Sequence, residues 1–403
     1  MSLKCKVIGI GQAGNKAAIQ LVKDNVLDRN SVMLLNTTMR DIPEEYRTDM
    51  AIQFGMEDGG CGKDRDLGKK FMEEAIIRGD IPIDDFIDGD EKFFVIVSST
   101  EGGTGSGASV RLGEYIRDVT KVEDDEERSD GIPVNMVCIT GFEDDTRGRK
   151  NTVEWFKDLS SDYVIQAISN KACMRYTDNN RRKAEEYANK IFSKRIEILM
   201  GKNLNPSDSN VDNMDLFKLN EMKGYMTVEF MDLDNVHDEE QFEEALSQMI
   251  EHSVSIPTEP SCRRLGIVLS APNKLQAVIN EGYDKVINAY GFPSEIFRHK
   301  QDQQGYSSSL AVIASGMKMP YNEIKAIYSR FEKAMEKTDM SRDSFFDAIG
   351  NMDTNIGMTM QSTNPAANKQ KMLANKSKFF EKYGKKDKKK VVTAGESRVK
   401  DEI

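Results

Sequence analysis

Two glycine-rich segments of this chain have the composition of phosphate-binding loops. The denser one follows an apolar stretch that ends in Ser98-Ser99, and it reads Gly102-Gly103-Thr104-Gly105-Ser106-Gly107. Glycine carries an entropic cost and is retained where the backbone bends sharply or lies against a ligand. The hydroxyls of Thr104 and Ser106 could add hydrogen bonds to phosphate oxygens. We therefore predict a phosphate-binding loop between a strand and a helix.

The other segment lies near the start of the chain, where Gly9, Gly11 and Gly14 form a GxGxxG pattern between a predicted strand and a predicted helix. This spacing lets backbone N–H groups and a helix N-terminus approach phosphate. A tight strand-to-helix turn without a ligand is the alternative interpretation of this pattern. A dinucleotide site would need an acidic residue at the end of the second strand, and that strand ends in Asn36-Thr37-Thr38. A nicotinamide-dependent oxidoreductase, NAD(P)-linked, is kept as an alternative function.

A conventional P-loop is excluded by the residues around the only Gly-Lys pair that follows a glycine run. Gly62-Lys63 is followed by Asp64, and no GK[ST] sequence occurs elsewhere. The Walker A loop needs that hydroxyl residue for its metal-bound phosphate. Any phosphate chemistry must therefore belong to another class of nucleotide-binding protein.

Together the glycine loops resemble the signatures of the tubulin/FtsZ superfamily, and most of all the TubZ-type tubulins of plasmids and phages. Residues 102–107 are similar to GGGTG[ST]G, with Glu101 in place of the first glycine. The first nucleotide loop of the family resembles Gly11-Gln12-Ala13-Gly14-Asn15, and its third loop, which wraps the γ-phosphate, resembles Gly59-Gly60-Cys61-Gly62-Lys63. The resemblance covers residues 5 to about 335. It implies GTP or GDP with Mg²⁺ as the cofactors, and we predict no metal site built from side chains alone.

The resemblance also implies contacts to the rest of the nucleotide. Asn179 and Asn189 occupy the positions that read guanine, and an amide can pair with both the carbonyl and the N–H edge of that base. A helix cap for Asn179 and plain solvent exposure for Asn189 are the alternative roles. Tyr187 is a candidate for stacking on the base. Glu143 and Arg147 resemble a pair that contacts ribose and phosphate, although a surface salt bridge would explain them as well.

Catalysis in this family is completed by the next subunit, whose loop after the central helix carries Asn-x-Asp-x-x-Asp. The segment Thr227–Asp232 resembles that sequence in position, which makes Glu229 and Asp232 the predicted catalytic carboxylates and Asp234 a substitute. On a helical turn, the i, i+3 spacing would place both carboxylates on one face. The implied function is a GTPase that polymerises head to tail. A structural filament that does not hydrolyse GTP is the second alternative.

The elements that must position these residues alternate between short apolar runs and amphipathic stretches, as in a parallel sheet covered on both faces. The predicted strands of the first half are Lys4–Ile10, Ser31–Asn36, Phe93–Ser99, Val134–Thr140 and Ala172–Thr177. The predicted helices are Asn15–Asn25, Ala108–Thr120 and, as the central helix, Arg181–Lys202. A smaller α/β unit follows, with strands near Arg264–Ser270, Glu295–Arg298 and Ser308–Ala314, and with helices over Leu275–Tyr290 and from Pro320 to about Lys337.

The predicted fold is α/β, with a Rossmann-like GTPase domain, a long central helix, a second smaller α/β domain, a C-terminal helix and a basic tail. The predicted domain boundaries are 1–180 for the nucleotide domain, 181–213 for the central helix and its following loop, 214–320 for the second (activation) domain, 321–360 for the helical region and 361–403 for the tail.

Composition limits the environment and the partners. The 403 residues carry a net charge of −11, and no apolar run approaches the roughly 18 residues of a membrane span. Five scattered cysteines and three unpaired histidines argue against disulfides or zinc. We therefore expect a protein of the bacterial host cytoplasm with no membrane partner.

The tail stands out because it is basic on an acidic chain, with lysines concentrated between residues 369 and 390. We expect it either to contact DNA or a DNA-bound adaptor, as the resemblance to DNA-segregating tubulins implies, or to be a solvated spacer. The other predicted partner is a second copy of the chain in a head-to-tail polymer.

Overall fold

The computed structural model describes residues 2–55, 59–121, 130–159, 162–202, 204, 212–302 and 308–352. The chain divides into two units, Met1–Lys337 and Thr338–Ile403. All of the architecture that follows belongs to the first unit, apart from the end of the last helix. The basic tail predicted for residues 361–403 lies outside the described residues.

One ten-stranded sheet runs through the first unit, in the order β3-β2-β1-β4-β5-β6-β7-β10-β8-β9. Its strands are β1 (Cys5–Ile10), β2 (Val32–Asn36), β3 (Ala51–Gln53), β4 (Phe93–Ser99), β5 (Val134–Thr140), β6 (Val164–Ser169), β7 (Gly224–Asp232), β8 (Arg264–Ser270), β9 (Glu295–Gln301) and β10 (Ser309–Met317). The first six are parallel, and β10 pairs antiparallel with both β7 and β8. Parallel strands β1, β2 and β5 are buried throughout, as expected for a sheet covered on both faces.

The helices of the described residues are α1 (Gly11–Lys23), α2 (Arg47–Met50), α3 (Arg65–Arg78), α4 (Ile83–Phe86), α5 (Gly103–Val119), α6 (Thr146–Asp158), α7 (Asn170–Cys173), α8 (Arg181–Leu199), α9 (Asn213–Glu221), α10 (Glu239–Glu251), α11 (Asn273–Tyr290) and α12 (Tyr321–Met352). Strand residues alternate between two faces, and the core is divided accordingly. On one face α1 and the central helix α8 pack together, for example through Leu21 and Ala188. On the other face α3, α5 and α6 pack through Met72, Leu112 and Trp155.

The α/β fold class is confirmed, but one predicted strand is wrong. Residues 172–177, predicted as a strand, lie in α7 and the 3-10 turn Met174–Tyr176, and the strand at this place in the sheet is β6. The Ser169 side chain caps α7 by accepting a hydrogen bond from the Ala172 N–H at 3.2 Å, which ends the strand before the predicted segment begins.

The helix after each glycine loop begins earlier than predicted. α1 starts at Gly11 and α5 at Gly103, inside the glycine loops and not after them. The last helix also extends beyond Lys337, to Met352.

In the described part of the chain, no helix combines the length and the apolar character that a bilayer crossing requires. All five cysteines are buried and carry free thiols. The domain boundaries stay a prediction.

Candidate functional site

The N-termini of α1 and α5 converge at the carboxyl edge of the parallel strands. Gly11, which has a φ of 72°, packs so closely on the second loop that a Cβ added to it would lie 3.2 Å from the Gly105 nitrogen. A Cβ on Gly14 would lie 2.2 Å from the carbonyl oxygen of Val97. Glycine is therefore needed here for close packing of the two loops and the sheet as well as for ligand access.

Neither of these two helices has a side-chain N-cap. Ile10 and Gly102 occupy the cap positions of α1 and α5, and neither makes a side-chain hydrogen bond to the first turn. By contrast, α3, α6 and α8 are capped by Asp64, Asp145 and Asn180. Uncapped first-turn N–H groups and the positive end of the helix dipole together favour an anion. Two such termini at one place form a candidate phosphate site.

The third glycine loop closes one side of this site. Its residues 61–64 lie directly on α5, because a Cβ on Gly103 would be 2.8 Å from Cys61 Cβ and 2.6 Å from Asp64 N. At Gly59 and Gly60 an added Cβ would meet nothing within 4 Å among the described residues. Packing against that part of the chain therefore gives no reason for glycine at these two positions. The structure brings the three predicted loops together as one cluster.

The predicted hydroxyl donors already have partners within the protein. Thr104 shares a hydrogen bond of 2.9 Å with Thr37, and the fully buried Ser106 donates to the Gly102 carbonyl oxygen. Asn15 is also buried and donates to the Leu35 carbonyl oxygen at 3.2 Å. These side chains hold the loops in shape, and the backbone N–H groups are the donors that remain for phosphate.

Glu101, which replaces the first glycine of the family signature, ties this loop to the one after β5. Its carboxylate accepts a hydrogen bond from the Glu143 N–H at 2.9 Å. It fills the space beside two glycines: a Cβ on Gly141 would lie 2.0 Å from Glu101 Oε2, and one on Gly148 would lie 3.2 Å from its carboxyl carbon. Burial raises the pKa of Glu101, while the hydrogen bond from Glu143 opposes that rise. The carboxylate is therefore held against the loop that follows β5.

Glu143 and Arg147 form no salt bridge with each other, and their contacts to ribose and phosphate stay a prediction. Glu143 lies with Arg330 of α12 at 2.8 Å and with Lys171 at 3.5 Å, whereas Arg147 lies 3.5 Å from Asp64. Glu143 also has a left-handed backbone conformation, with a φ of 61°. The charges around Glu143 explain why the two residues, four apart in sequence, bind different partners.

Of the predicted base-reading residues, Asn179 precedes α8 and Asn189 lies in the middle of that helix, which packs beside α1. Asn179 is exposed with a φ of 58°, and the cap of α8 is the next residue, Asn180, which accepts from Lys183 N at 3.1 Å. Asn189 is half-buried on α8. The Tyr187 ring stacks on Tyr176 with centroids 5.1 Å apart, and burial raises the pKa of Tyr187 to about 12. The amide of Asn179 is thus not needed as the helix cap, which was the alternative role.

The prediction that Glu229 and Asp232 lie on one face of a helical turn is wrong. Residues 224–232 form strand β7, where positions three apart point to opposite faces. Glu229 is buried, and its Oε1 lies 3.3 Å from Arg195 and accepts from Ser253 at 2.7 Å. It lines a cavity of about 390 Å³ that includes no residue of the three glycine loops.

The other two predicted carboxylates stabilise turns. Asp232 accepts a hydrogen bond from Asp234 N at 2.8 Å, and Asp234 accepts one from Ser308 N at 2.6 Å. Each therefore has a local structural role at the end of β7.

A better candidate was missed by the sequence reasoning. The central helix ends at Leu199, and the chain continues into a literal Asn-x-Asp-x-x-Asp at residues 210–215. The first two residues of this sequence lie outside the described part. Asp212 caps α9 and forms a capping box with Asp215, and Asp212 is exposed. Matching the family pattern to the loop directly after the central helix would have found both carboxylates.

These two aspartates and the glycine loops lie at opposite edges of the sheet. The glycine loops follow the carboxyl ends of β1 and β4. The end of α8 lies at the amino edge, where Met200 accepts a hydrogen bond from Leu3 N at 2.9 Å. A helix of 19 residues, such as α8, spans about 28 Å. Within one subunit the carboxylates of α9 therefore cannot reach the phosphate site.

Comparison with known proteins identifies the fold. No family model matches the chain. The tubulin-like protein CetZ1 of Haloferax volcanii is 29% identical over 126 residues, which cover 28% of this chain and 31% of that protein. The matched region thus spans about a third of the curated relative.

Solved structures match over most of the chain. CetZ2 of Haloferax volcanii, in a GTPγS-bound protofilament, has a TM-score of 0.66 and 16% identity, covering 84% of this chain and 100% of that one. TubZ of Bacillus thuringiensis serovar israelensis, in a GTPγS-form protofilament, has a TM-score of 0.66 and 16% identity, covering 84% and 94%. The chain has the tubulin/FtsZ fold, and the resemblance predicted from the glycine loops is confirmed. The equal TM-scores show that the fold alone does not separate the TubZ type from the CetZ type.

Proposed function

We propose that this protein is a GTPase that polymerises head to tail and hydrolyses GTP at the contact between subunits. The observation that carries the proposal is the placement of complementary parts at opposite edges of the sheet. Two uncapped helix N-termini lie at one edge, and Asp212 and Asp215 lie at the other. Stacking copies in one direction brings the carboxylates of one subunit to the phosphate site of the next. Such heterologous contacts do not close and give filaments.

The site fits a nucleoside triphosphate with Mg²⁺. The first turns of α1 and α5 supply N–H donors for phosphates, and the carboxylate of Glu101 is committed to Glu143. Mg²⁺ would therefore be held mainly by phosphate oxygens and water, which is its usual coordination beside phosphates. When bound, the ion neutralises phosphate charge. The protein contributes positioning, and the neighbouring carboxylates orient the attacking water.

Guanine is the proposed base. Asn179 lies just before α8 and Asn189 in the middle of that helix, and their amides can pair with the carbonyl and N–H edge of guanine. The dinucleotide alternative finds little support in the structure. β2 ends in the buried Asn36, whose Oδ1 accepts from Thr37 N at 2.9 Å, where a ribose-binding carboxylate would be needed.

The solved neighbours support self-association, because two of them are described as protofilaments with GTPγS. We further propose that the filament acts in the cytoplasm of a bacterial host and moves or positions DNA. The basic tail would recruit DNA or a DNA-bound adaptor. That tail lies outside the described residues, and the proposal for it rests on its lysines.

Electron microscopy with GTP or GTPγS, combined with a phosphate-release assay, tests this function. We expect filaments with both nucleotides, phosphate release with GTP only, and a rate that rises steeply with protein concentration because the site is shared. Filaments without phosphate release would favour the structural-filament alternative. Tight NADH binding without filaments would favour the oxidoreductase.

A further inference from the structure

Three consecutive acidic residues in the loop after β5 form ion pairs with three different elements of the fold. The pairs are Glu143 with Arg330, Asp144 with Arg181, and Asp145 with Lys63. The three cations lie on α12, at the start of α8 and in the third glycine loop, respectively. Residues 141–145, which we call the junction loop, therefore connect the candidate phosphate site to two long helices.

The junction loop is attached to the phosphate site at two points. The Glu143 N–H donates to Glu101 Oε1 at 2.9 Å, and α5 begins two residues after Glu101. At the other end of the loop, Asp145 pairs with Lys63, whose carbonyl oxygen accepts from Asn151 at 3.0 Å. The same Asn151 amide donates to the Glu101 carbonyl oxygen at 3.0 Å. A displacement of the junction loop would therefore reach both the second and the third glycine loop.

Glu143 is held in a strained backbone conformation by its contacts. Its left-handed φ is unfavourable for residues other than glycine and persists where the surroundings enforce it. Its side chain is 15% exposed and lies between Arg330 at 2.8 Å and Lys171 at 3.5 Å. Arg330 is the closer of these cations and the less exposed, at 38% against 56%. The ion pair with Arg330 is therefore the stronger electrostatic restraint on Glu143.

The position of Arg330 is set by α12. Its Nη2 donates to Glu323 Oε1 at 3.0 Å on the same helix. Ile327, which lies between these two residues, is 3% exposed, so this part of the helix is packed on the body of the protein. The chain continues from α12 to the lysine-rich residues 369–390, for which we proposed a partner. The helix that holds Glu143 thus leads into the proposed partner-binding tail.

We infer that Arg330 is a positioning residue for the nucleotide site: it holds Glu143, fixes the junction loop, and thereby lets α12 set the affinity for nucleotide. This inference rests on the proposed function and adds regulation of the same site. A partner that binds the tail and draws α12 away from the junction loop would weaken nucleotide binding. Because coupling between two sites is reciprocal, bound nucleotide strengthens the docking of α12 by the same factor.

The test measures GTPγS and GDP affinities of the full-length protein at concentrations below assembly. For Arg330→Gln and Glu143→Gln we expect both affinities to fall about three- to tenfold, the scale of one partly buried ion pair. Both nucleotides are affected because the junction loop restrains the glycine loops and not a single phosphate. The double variant should bind no more weakly than either single variant, because both changes remove the same link. Arg330→Lys keeps the charge and should retain most of the affinity.

Two control variants separate this link from a general effect on α12. Lys325→Gln removes a positive charge from an exposed position on the same helix, and Glu323→Gln changes the other partner of Arg330. Both should bind nucleotide like wild type. Amide hydrogen exchange of residues 321–335 gives the reciprocal measurement. GDP should slow this exchange in wild type but not in Arg330→Gln.

Wild-type affinities in Arg330→Gln overturn the inference, and so do additive losses in the double variant, which would show that Glu143 and Arg330 act separately. If Arg330→Gln does not fold, the exchange measurement on wild type still decides, because an exchange rate in α12 that GDP leaves unchanged overturns the link. If wild type itself binds neither nucleotide, the proposed function falls together with this inference. If wild type binds and hydrolyses GTP while Arg330→Gln keeps its affinities, only the inference falls.

Discussion

Replacing Glu229 should destabilise the fold and leave hydrolysis intact, because the structure makes Glu229 the partner of a buried cation. Arg195 is fully buried on the central helix, and Glu229 Oε1 lies 3.3 Å from its Nη2. The other two guanidinium nitrogens of Arg195, Nε and Nη1, have no hydrogen-bond partner among the described residues. Ser255, which accepts from Nη2 at 2.6 Å, is its other bonded neighbour there. The carboxylate thus supplies the only counter-charge in this set of contacts.

Removing one member of a buried ion pair costs about 3 to 5 kcal/mol, because the other charge is left without compensation. Glu229→Gln keeps an oxygen that can accept from Ser253 and Ser255, so we expect the lower end, about 3 kcal/mol. That corresponds to a folding constant lower by roughly a hundredfold.

Urea unfolding measures the loss of stability, provided that the m-value is unchanged. A phosphate-release assay, expressed per folded subunit, measures whether hydrolysis is intact. The double variant Arg195→Met with Glu229→Leu removes both charges and should recover much of the lost stability. The reasoning is refuted if Glu229→Gln unfolds like wild type but loses hydrolysis by about 10²-fold, the scale of a lost catalytic carboxylate.

The remaining predictions concern catalysis, pH, base choice and the tail. Asp215→Asn should lower phosphate release roughly 10² to 10⁴-fold. It should keep GTP binding and leave filaments that persist in a sedimentation assay; normal release would exclude this carboxylate. Burial raises the pKa of Glu101 above its ordinary 4.5, so this group contributes stability below pH 4.5 that is lost as pH rises through the raised pKa. The unfolding free energy of wild type relative to Glu101→Gln should therefore fall from acidic to neutral pH, and a pH-independent difference would contradict this. Asn189→Ala should lower the preference for GTP over ATP about tenfold in competition binding; an unchanged preference would remove Asn189 from the base site. Truncation after Met360 should spare GTP hydrolysis but abolish co-sedimentation with DNA or adaptor, whereas an unchanged salt slope would show that the tail does not bind them.

The phosphate site could be predicted from sequence because glycine is required where the backbone packs too closely to leave room for a side chain. Positions such as Gly11 and Gly14 tolerate no Cβ, so their spacing reflects contacts between the first and second loops and the sheet. Strands β1, β4 and β5 were also predicted closely, since fully buried parallel strands read as continuous apolar runs.

The structural roles of Glu229 and Asp232 could not be predicted from their spacing along the chain. Glu229 and Asp232 have a spacing that suits a helix, but tertiary pairing of β7 with β10 makes this segment a strand. The predicted strand at residues 172–177 is also wrong, because the Ser169 side chain caps the helix that begins at the next residue. The partners of Glu143, namely Arg330 and Lys171, are distant in sequence and carry no local signal.

The junction between β6 and β7 has a mechanical consequence. Only two residue pairs join these strands, Val164 with Gly224 and Ile165 with Tyr225, whereas β4 and β5 share six. At the other end of β6, the Ser169 N–H donates to the Val254 carbonyl oxygen at 2.8 Å. Torque applied across the sheet is resisted least along this line, because few backbone hydrogen bonds must yield there. We therefore expect that bending or twisting of the sheet, when imposed on a subunit from outside, is taken up first at this junction.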